Sequence, residues 1–177
     1  MRKTLMFMLM IFHGCAPLIE PSIQDQSDAL NLVDSGVVYL REGQLDRAEA
    51  NFEIANEIMP MAAAIDGLGC VAFLRGDTAL AESLFWQAYE MDSSYNTSLG
   101  NLALLYEHKG ETEKAEEFYN KALVHDTKNF KTRNNYAAFL YDKRASKTRV
   151  LAELLKAEAL FGDVKIYDNI HLITKEK

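Results

Sequence analysis

The stretch KAEEFYNKAL, Lys114–Leu123, decides the fold. Wound as a helix it places Ala115, Tyr119 and Ala122 on one side and leaves Glu116, Glu117 and Lys121 to water. The same spacing, Ala-x3-aromatic-x2-Ala, stands upstream in AESLFWQA (Ala81, Phe85, Ala88) and in AEANFEIA (Ala48, Phe52, Ala55). Copies at steps of roughly 34 residues describe tandem units, each too small to bury its own apolar face and closed only by its neighbours.

Ahead of each copy lies a second helical pattern of small and large apolar residues. Leu32, Gly36 and Tyr39 precede the first, Ile65, Leu68, Gly69 and Ala72 the second, and Leu99, Leu102, Ala103 and Tyr106 the third. A glycine separates the two patterns of every unit, at Gly43, Gly76 and Gly110. Glycine there suits the left-handed residue that ends a helix, so each unit reads as helix, tight turn, helix. Pro60 follows the second helix of the first unit, where it cannot continue that helix.

These positions resemble the tetratricopeptide repeat, in which a large apolar residue, Leu, Gly or Ala and Tyr are followed by Ala, an aromatic residue and Ala. The resemblance implies an all-α fold, a right-handed α-solenoid of about four helix-turn-helix repeats with a modified C-terminal repeat and cap. The expected units are residues 29–61, 62–95, 96–129 and 130–161, with a short cap over 163–177, all in one domain from 28 to 177. In the fourth unit helix A reads from Phe130 to Asp142, but no glycine follows Lys143. Its partner, Thr148 to Phe161, is expected to turn Leu151, Leu154, Leu155 and Ala159 inward, with Ala152 offset from the repeat position. Val164 to Thr174 is expected as a capping helix despite its β-branched residues.

The first fourteen residues, MRKTLMFMLMIFHG, have the order of an export signal. A basic start (Arg2, Lys3) leads into an apolar run from Leu5 to Phe12 that is too short to span a bilayer. Cys15 directly after Gly14 resembles a bacterial lipobox, which implies cleavage before Cys15 and a palmitate-type acyl anchor on it. An ordinary signal peptide or an uncleaved anchor are the other readings. Ala16 in place of aspartate implies, by resemblance to Gram-negative lipoproteins, an outer-membrane destination and a place in the cell envelope facing the periplasm. Residues 15–27, with Pro17 and Pro21, read as a short tether.

The formal charge is −7 and the chain has no Lys/Arg block able to follow a phosphate backbone, so nucleic acid is not an expected partner. The densest cations are Lys143, Arg144, Lys147 and Arg149. With Cys15 acylated, Cys70 has no disulfide partner and reads as a small packing residue. GLGCVA, Gly67 to Ala72, matches a dinucleotide-binding spacing, but it falls on the small-residue positions of a repeat helix and no strand pattern precedes it. His108, His125 and His171 lack metal-ligand spacing. Glu111, Glu113, Glu116 and Glu117 open a helix, where acidic residues favour the positive end of the dipole. No catalytic residue, metal, cofactor or small-molecule substrate is expected.

Function is therefore expected on a surface. In a solenoid of this kind the first helices of the units line a concave groove. Register places Val33, Asp34, Val37 and Leu40 there, then Asp66, Cys70 and Phe73, then Asn101, Leu104 and His108, then Asn134, Asn135 and Tyr141. For Val33 and Leu40 the competing reading is packing against the N-terminal segment or a cap. Asparagine can hold an extended peptide through both its donor and its acceptor. The family's clamp for chaperone tails needs Lys and Asn where Val33, Val37, Asp66 and Cys70 stand, which argues against that ligand class.

Lys121–Lys143, with Asn134-Asn135-Tyr136 followed by Phe139-Leu140-Tyr141, resembles the matching stretch of the tetratricopeptide lipoproteins of type IV pilus biogenesis. That resemblance implies a pilotin or assembly factor for a pilus or related secretion system, with a secretin or pilus component as the envelope partner and an N-terminal lipid as the membrane contact. The alternative is an adaptor that recruits peptidoglycan hydrolases or synthases.

Overall fold

A computed structural model describes residues 22–175. The signal stretch, Cys15 and most of the expected tether lie outside them. The described residues form nine helices: α1 (Ile23–Arg41), α2 (Leu45–Ile58), α3 (Ala62–Leu74), α4 (Thr78–Met91), α5 (Thr97–His108), α6 (Thr112–His125), α7 (Phe130–Asp142), α8 (Lys147–Leu160) and α9 (Val164–Lys175). Among these residues no helix is long and apolar enough to cross a membrane. Helix α1 begins inside the span expected as tether. Ser22 caps it in a reciprocal capping box with Asp25: the two side chains accept from the backbone N–H groups of Asp25 and Ser22 and so satisfy two orphan donors.

Contacts are densest within α1/α2, α3/α4, α5/α6 and α7/α8, and each pair then leans on the next. The result is an α-solenoid of four helix pairs. The turns share one geometry. Gly43, Gly76 and Gly110 have φ of 72°, 85° and 75°. Around each, the backbone N–H of the next residue reaches back to the last turn of the preceding helix, as in Gln44 N to Tyr39 O at 2.9 Å. The fourth turn repeats this pattern without glycine. Arg144 takes φ 57°, and Ala145 N donates to Leu140 O at 2.9 Å. The turn survives because its hydrogen bonds outweigh the cost of a side chain in the left-handed region.

Each signature triplet is the packing face of a second helix. Ala48, Phe52 and Ala55, then Ala81, Phe85 and Ala88, then Ala115, Tyr119 and Ala122 are all buried. The small residues of the first helices make room for these rings. A Cβ on Gly36 or Gly67 would lie 2.6 or 2.5 Å from the Phe52 ring, and one on Gly69 would lie 2.6 Å from Phe85. That is why GLGCVA is rich in glycine: two aromatic rings from neighbouring helices press on its backbone.

The fourth unit corrects the expected register. Leu154 is buried as expected, but Leu155 is 51% exposed, and Ala152 and Ala159 face water. The buried face is Val150, Leu154 and Ala157, which keeps the 3-and-2 spacing of the signature with Val and Leu in place of Ala and the aromatic. Tyr136 and Phe139 supply the rings from α7 instead, each within 5.4 Å of Tyr119. Helix α9 lies against α8 and α7, burying Ile166 and Ile173. Its β-branched residues are tolerated because packing, more than propensity, decides a helix with a buried face.

Candidate functional site: the face of the first helices

Helices α1, α3, α5 and α7 contact one another in series and line one face of the stack. Val37 and Leu40 are half-buried against the first-repeat core, and Val33 is buried in it. Leu104 and Phe73 lean on the larger core cluster. Phe73 meets the ring of His108 edge to face at 5.3 Å.

Several polar members of the expected groove are occupied by one another. Asp66 is buried, and both its carboxylate oxygens accept from the Asn101 amide, at 3.0 and 2.9 Å. The Tyr95 hydroxyl donates to the same carboxylate at 3.3 Å, and Asn101 lies 3.5 Å from the Cys70 sulfur. Burial pushes the Asp66 carboxyl up to about 7, against the pull of the Asn101 and Tyr95 hydrogen bonds. Burial, and then the Asp66 charge, likewise raise the Cys70 thiol and the Tyr95 phenol. This cluster joins the second repeat to the third. Asn101 therefore spends its amide nitrogen on the link between repeats, which leaves its carbonyl oxygen as the group it could still offer a peptide.

The same bond recurs two repeats on. Asn134 occupies the Asp66 position of α7 and accepts from the Asn169 amide of α9 at 3.0 Å. Helix α9 thus stands where the first helix of a fifth unit would stand. Asn135, next along, is half-buried and has Gly100 at the preceding repeat's matching position, so no side chain there answers its amide. Tyr141 is 38% exposed and lines a cavity between α7 and α9 with Asp142 and Leu172.

A larger cavity, about 640 Å³, opens where the curvature of the stack brings the end of α1 opposite the start of α7 and α9. It is lined by Arg41, Phe130, Lys131, Asn134, Asn135, Phe161, Asp163, Lys165 and Ile166. The Phe130 and Phe161 rings stack at 4.7 Å. Of this set only Asn134 and Asn135 were expected from sequence. Arg41, Lys131 and Lys165 are isolated cations far apart along the chain, and no local pattern marks them. The cations that do cluster in sequence, around Lys143 to Arg149, lie elsewhere, and Arg149 is engaged by Glu116 at 2.6 Å.

With repeating helix pairs, shared turn geometry and ring-on-glycine packing established, the comparisons with known proteins agree. Residues 97–123 match the tetratricopeptide repeat family. The chain has the tetratricopeptide-repeat architecture. It is 30% identical over 110 residues to the type IV pilus assembly protein PilF of Pseudomonas aeruginosa, a match covering 60% of this chain and 43% of that one. It also overlays the solved structure of Pseudomonas aeruginosa PilF with a TM-score of 0.68 over 85% of this chain and 69% of that one, at 18% identity. A thermophilic tetratricopeptide protein of Thermus thermophilus gives a TM-score of 0.70 over 82% of this chain and 80% of that one, also at 18% identity. The repeat protein spans less than half the length of the curated relatives it matches. Repeats of this kind together with the likeness to PilF support a role in protein–protein interaction.

Proposed function

We propose that this chain is a non-catalytic scaffold held to the periplasmic face of the bacterial outer membrane by acyl chains on Cys15, and that it acts as a pilotin or assembly factor for a type IV pilus or related secretion system. The observation that carries the reading is the 30% identity to a type IV pilus assembly protein over 110 residues. The stacked helix pairs support it, because a stack of this kind presents a long surface to another protein while needing no enclosed reaction chamber. The export-like order of residues 1–14 followed by Cys15 supports the anchor.

The test is a deletion strain complemented with the wild-type gene or with Cys15→Ser. Secretin multimers resolved from outer-membrane fractions should disappear on deletion and return with the wild-type chain. Return to only a fraction of that level is expected with Cys15→Ser, because the acyl anchor concentrates the scaffold at the membrane. Normal multimers in the deletion strain would sink the pilotin reading.

A further inference from the structure

The cavity between the first and last units has a charge that sets it apart from the rest of the surface. The chain as a whole carries −7. Yet Arg41, Lys131 and Lys165 converge here, and among the described residues none of the three is engaged in an ion pair, whereas Arg75, Arg133 and Arg149 each hold a carboxylate. Asp163 is the one carboxylate of the lining, and its Oδ1 is taken up by the backbone N–H of Lys165 at 2.8 Å.

The placement of two of these cations adds to the field. Lys131 and Lys165 are the second residues of α7 and α9, so each adds its charge to the positive end of a helix dipole, where a cation is locally unfavourable. Three cations and the start of α7, set against the single carboxylate that caps α9, therefore leave a positive potential in one concavity, an arrangement that draws in negative charge. The rest of the wall is suited to a polypeptide. Asn135 offers an unengaged amide, a donor and an acceptor together, and the stacked Phe130 and Phe161 rings offer an apolar surface, Phe161 being 55% exposed. The volume, about 640 Å³, is of the size that takes a few side chains.

We propose that the cavity framed by Arg41, Lys131, Lys165, Asn135 and the Phe130–Phe161 pair docks an extended acidic segment of the partner protein, with carboxylates on the three cations and an apolar side chain on the rings. This rests on the scaffold reading and names the chemistry of what the scaffold holds. The site bridges the two ends of the stack, so it exists only when all four units are folded on one another.

The experiment is selection of a random dodecamer peptide library on the purified full chain, run in parallel on Lys131→Glu/Lys165→Glu and on the milder Lys131→Gln/Lys165→Gln, with helicity and melting followed by circular dichroism. Peptides rich in Asp and Glu beside a Leu or aromatic residue are expected on the wild type. Fluorescence anisotropy of the most enriched peptide should show binding weakened roughly tenfold or more by the charge reversal, less by the Gln pair, and falling as salt rises. Neutral or basic peptides, no acidic enrichment, or equal affinity for all three folded chains would overturn the proposal. In cells, a charge-reversed chain that still restores secretin multimers would refute this docking site and leave the pilus reading standing. Loss of acidic-peptide binding with multimers also lost would support both.

Discussion

Asn101 spans the boundary between the second and third repeats to donate its amide to both oxygens of Asp66, a carboxylate otherwise shut away from water. The equivalent pair two repeats on, Asn134 and Asn169, makes the bond without a charge. The fold therefore contains both an ionisable and a neutral version of one inter-repeat link.

The two versions differ in how they respond to pH. Asp66 has a carboxyl held near 7 in the native state and near its ordinary 3.8 when unfolded, so the native state binds the extra proton in between. The stability this group contributes is present in full below about pH 4 and is lost as pH rises through 7. Asp66→Asn should gain over the wild type as pH climbs from 4 to 7 and then level off, the gain since pH 4 reaching about 4 kcal/mol by pH 8. Urea denaturation at several pH values checks this. A difference that is the same at all pH values would show that Asp66 is ionised throughout.

Arg144 and Gly110 make the turn geometry testable from both sides. Arg144→Gly should stabilise by about 1 kcal/mol, a Tm rise of roughly 3 °C, because it relieves a left-handed conformation that glycine adopts freely. Gly110→Ala should cost about the same. No atom lies within 4 Å of the added Cβ, so its whole effect is backbone conformation. Scanning calorimetry on the two variants decides the matter.

The ring-on-glycine packing makes a steric prediction. Gly67→Ala would set a methyl group 2.5 Å from Phe52 and should lose about 1 to 3 kcal/mol, partly recovered when Phe52→Leu is added. Asn135→Ala, which removes no hydrogen bond within the described residues, should stay within about 0.5 kcal/mol of wild type. Equal losses at the two positions, measured by thermal unfolding, would mean that the glycine is not there to admit the ring.

Leu154 and Leu155 separate the two registers of the last unit. Leu154→Ala should cost about 2 to 5 kcal/mol, since Leu154 is buried to 2%. Leu155→Ala, on a residue half exposed, should cost less than about 1 kcal/mol. Comparable losses at the two positions in denaturant melts would restore the register that the leucine pattern first suggested.

The helix pairs were legible in the sequence because small and aromatic residues recur at one spacing, and because glycine recurs where each first helix must end. The last unit was misread for a physical reason. Val150 and Leu154 do the work of Ala and an aromatic ring, so the chemical signature is absent while the spacing persists. The turn at Arg144 was hidden in the same way, since its hydrogen bonds, and not a glycine, hold it. At the groove, register identified which residues lie on the first helices but not which of them are spent on each other. Asp66, Asn101 and Asn134 look alike from sequence as polar residues on a concave face, yet all three are engaged between units.

By itself the sequence determined the local periodicity, and with it the identity of the helices, the rings that fill their interfaces and the resemblance to pilus-assembly repeat proteins. These follow from contacts between residues close along the chain or one repeat apart, where a fixed spacing suffices. The tertiary structure alone decided what converges across the whole stack. Arg41 and Lys165 stand at opposite ends of the chain, and the accumulated curvature of four helix pairs brings them to one cavity. A small rotation at every repeat interface sums to that closure, and no local pattern of residues encodes a sum.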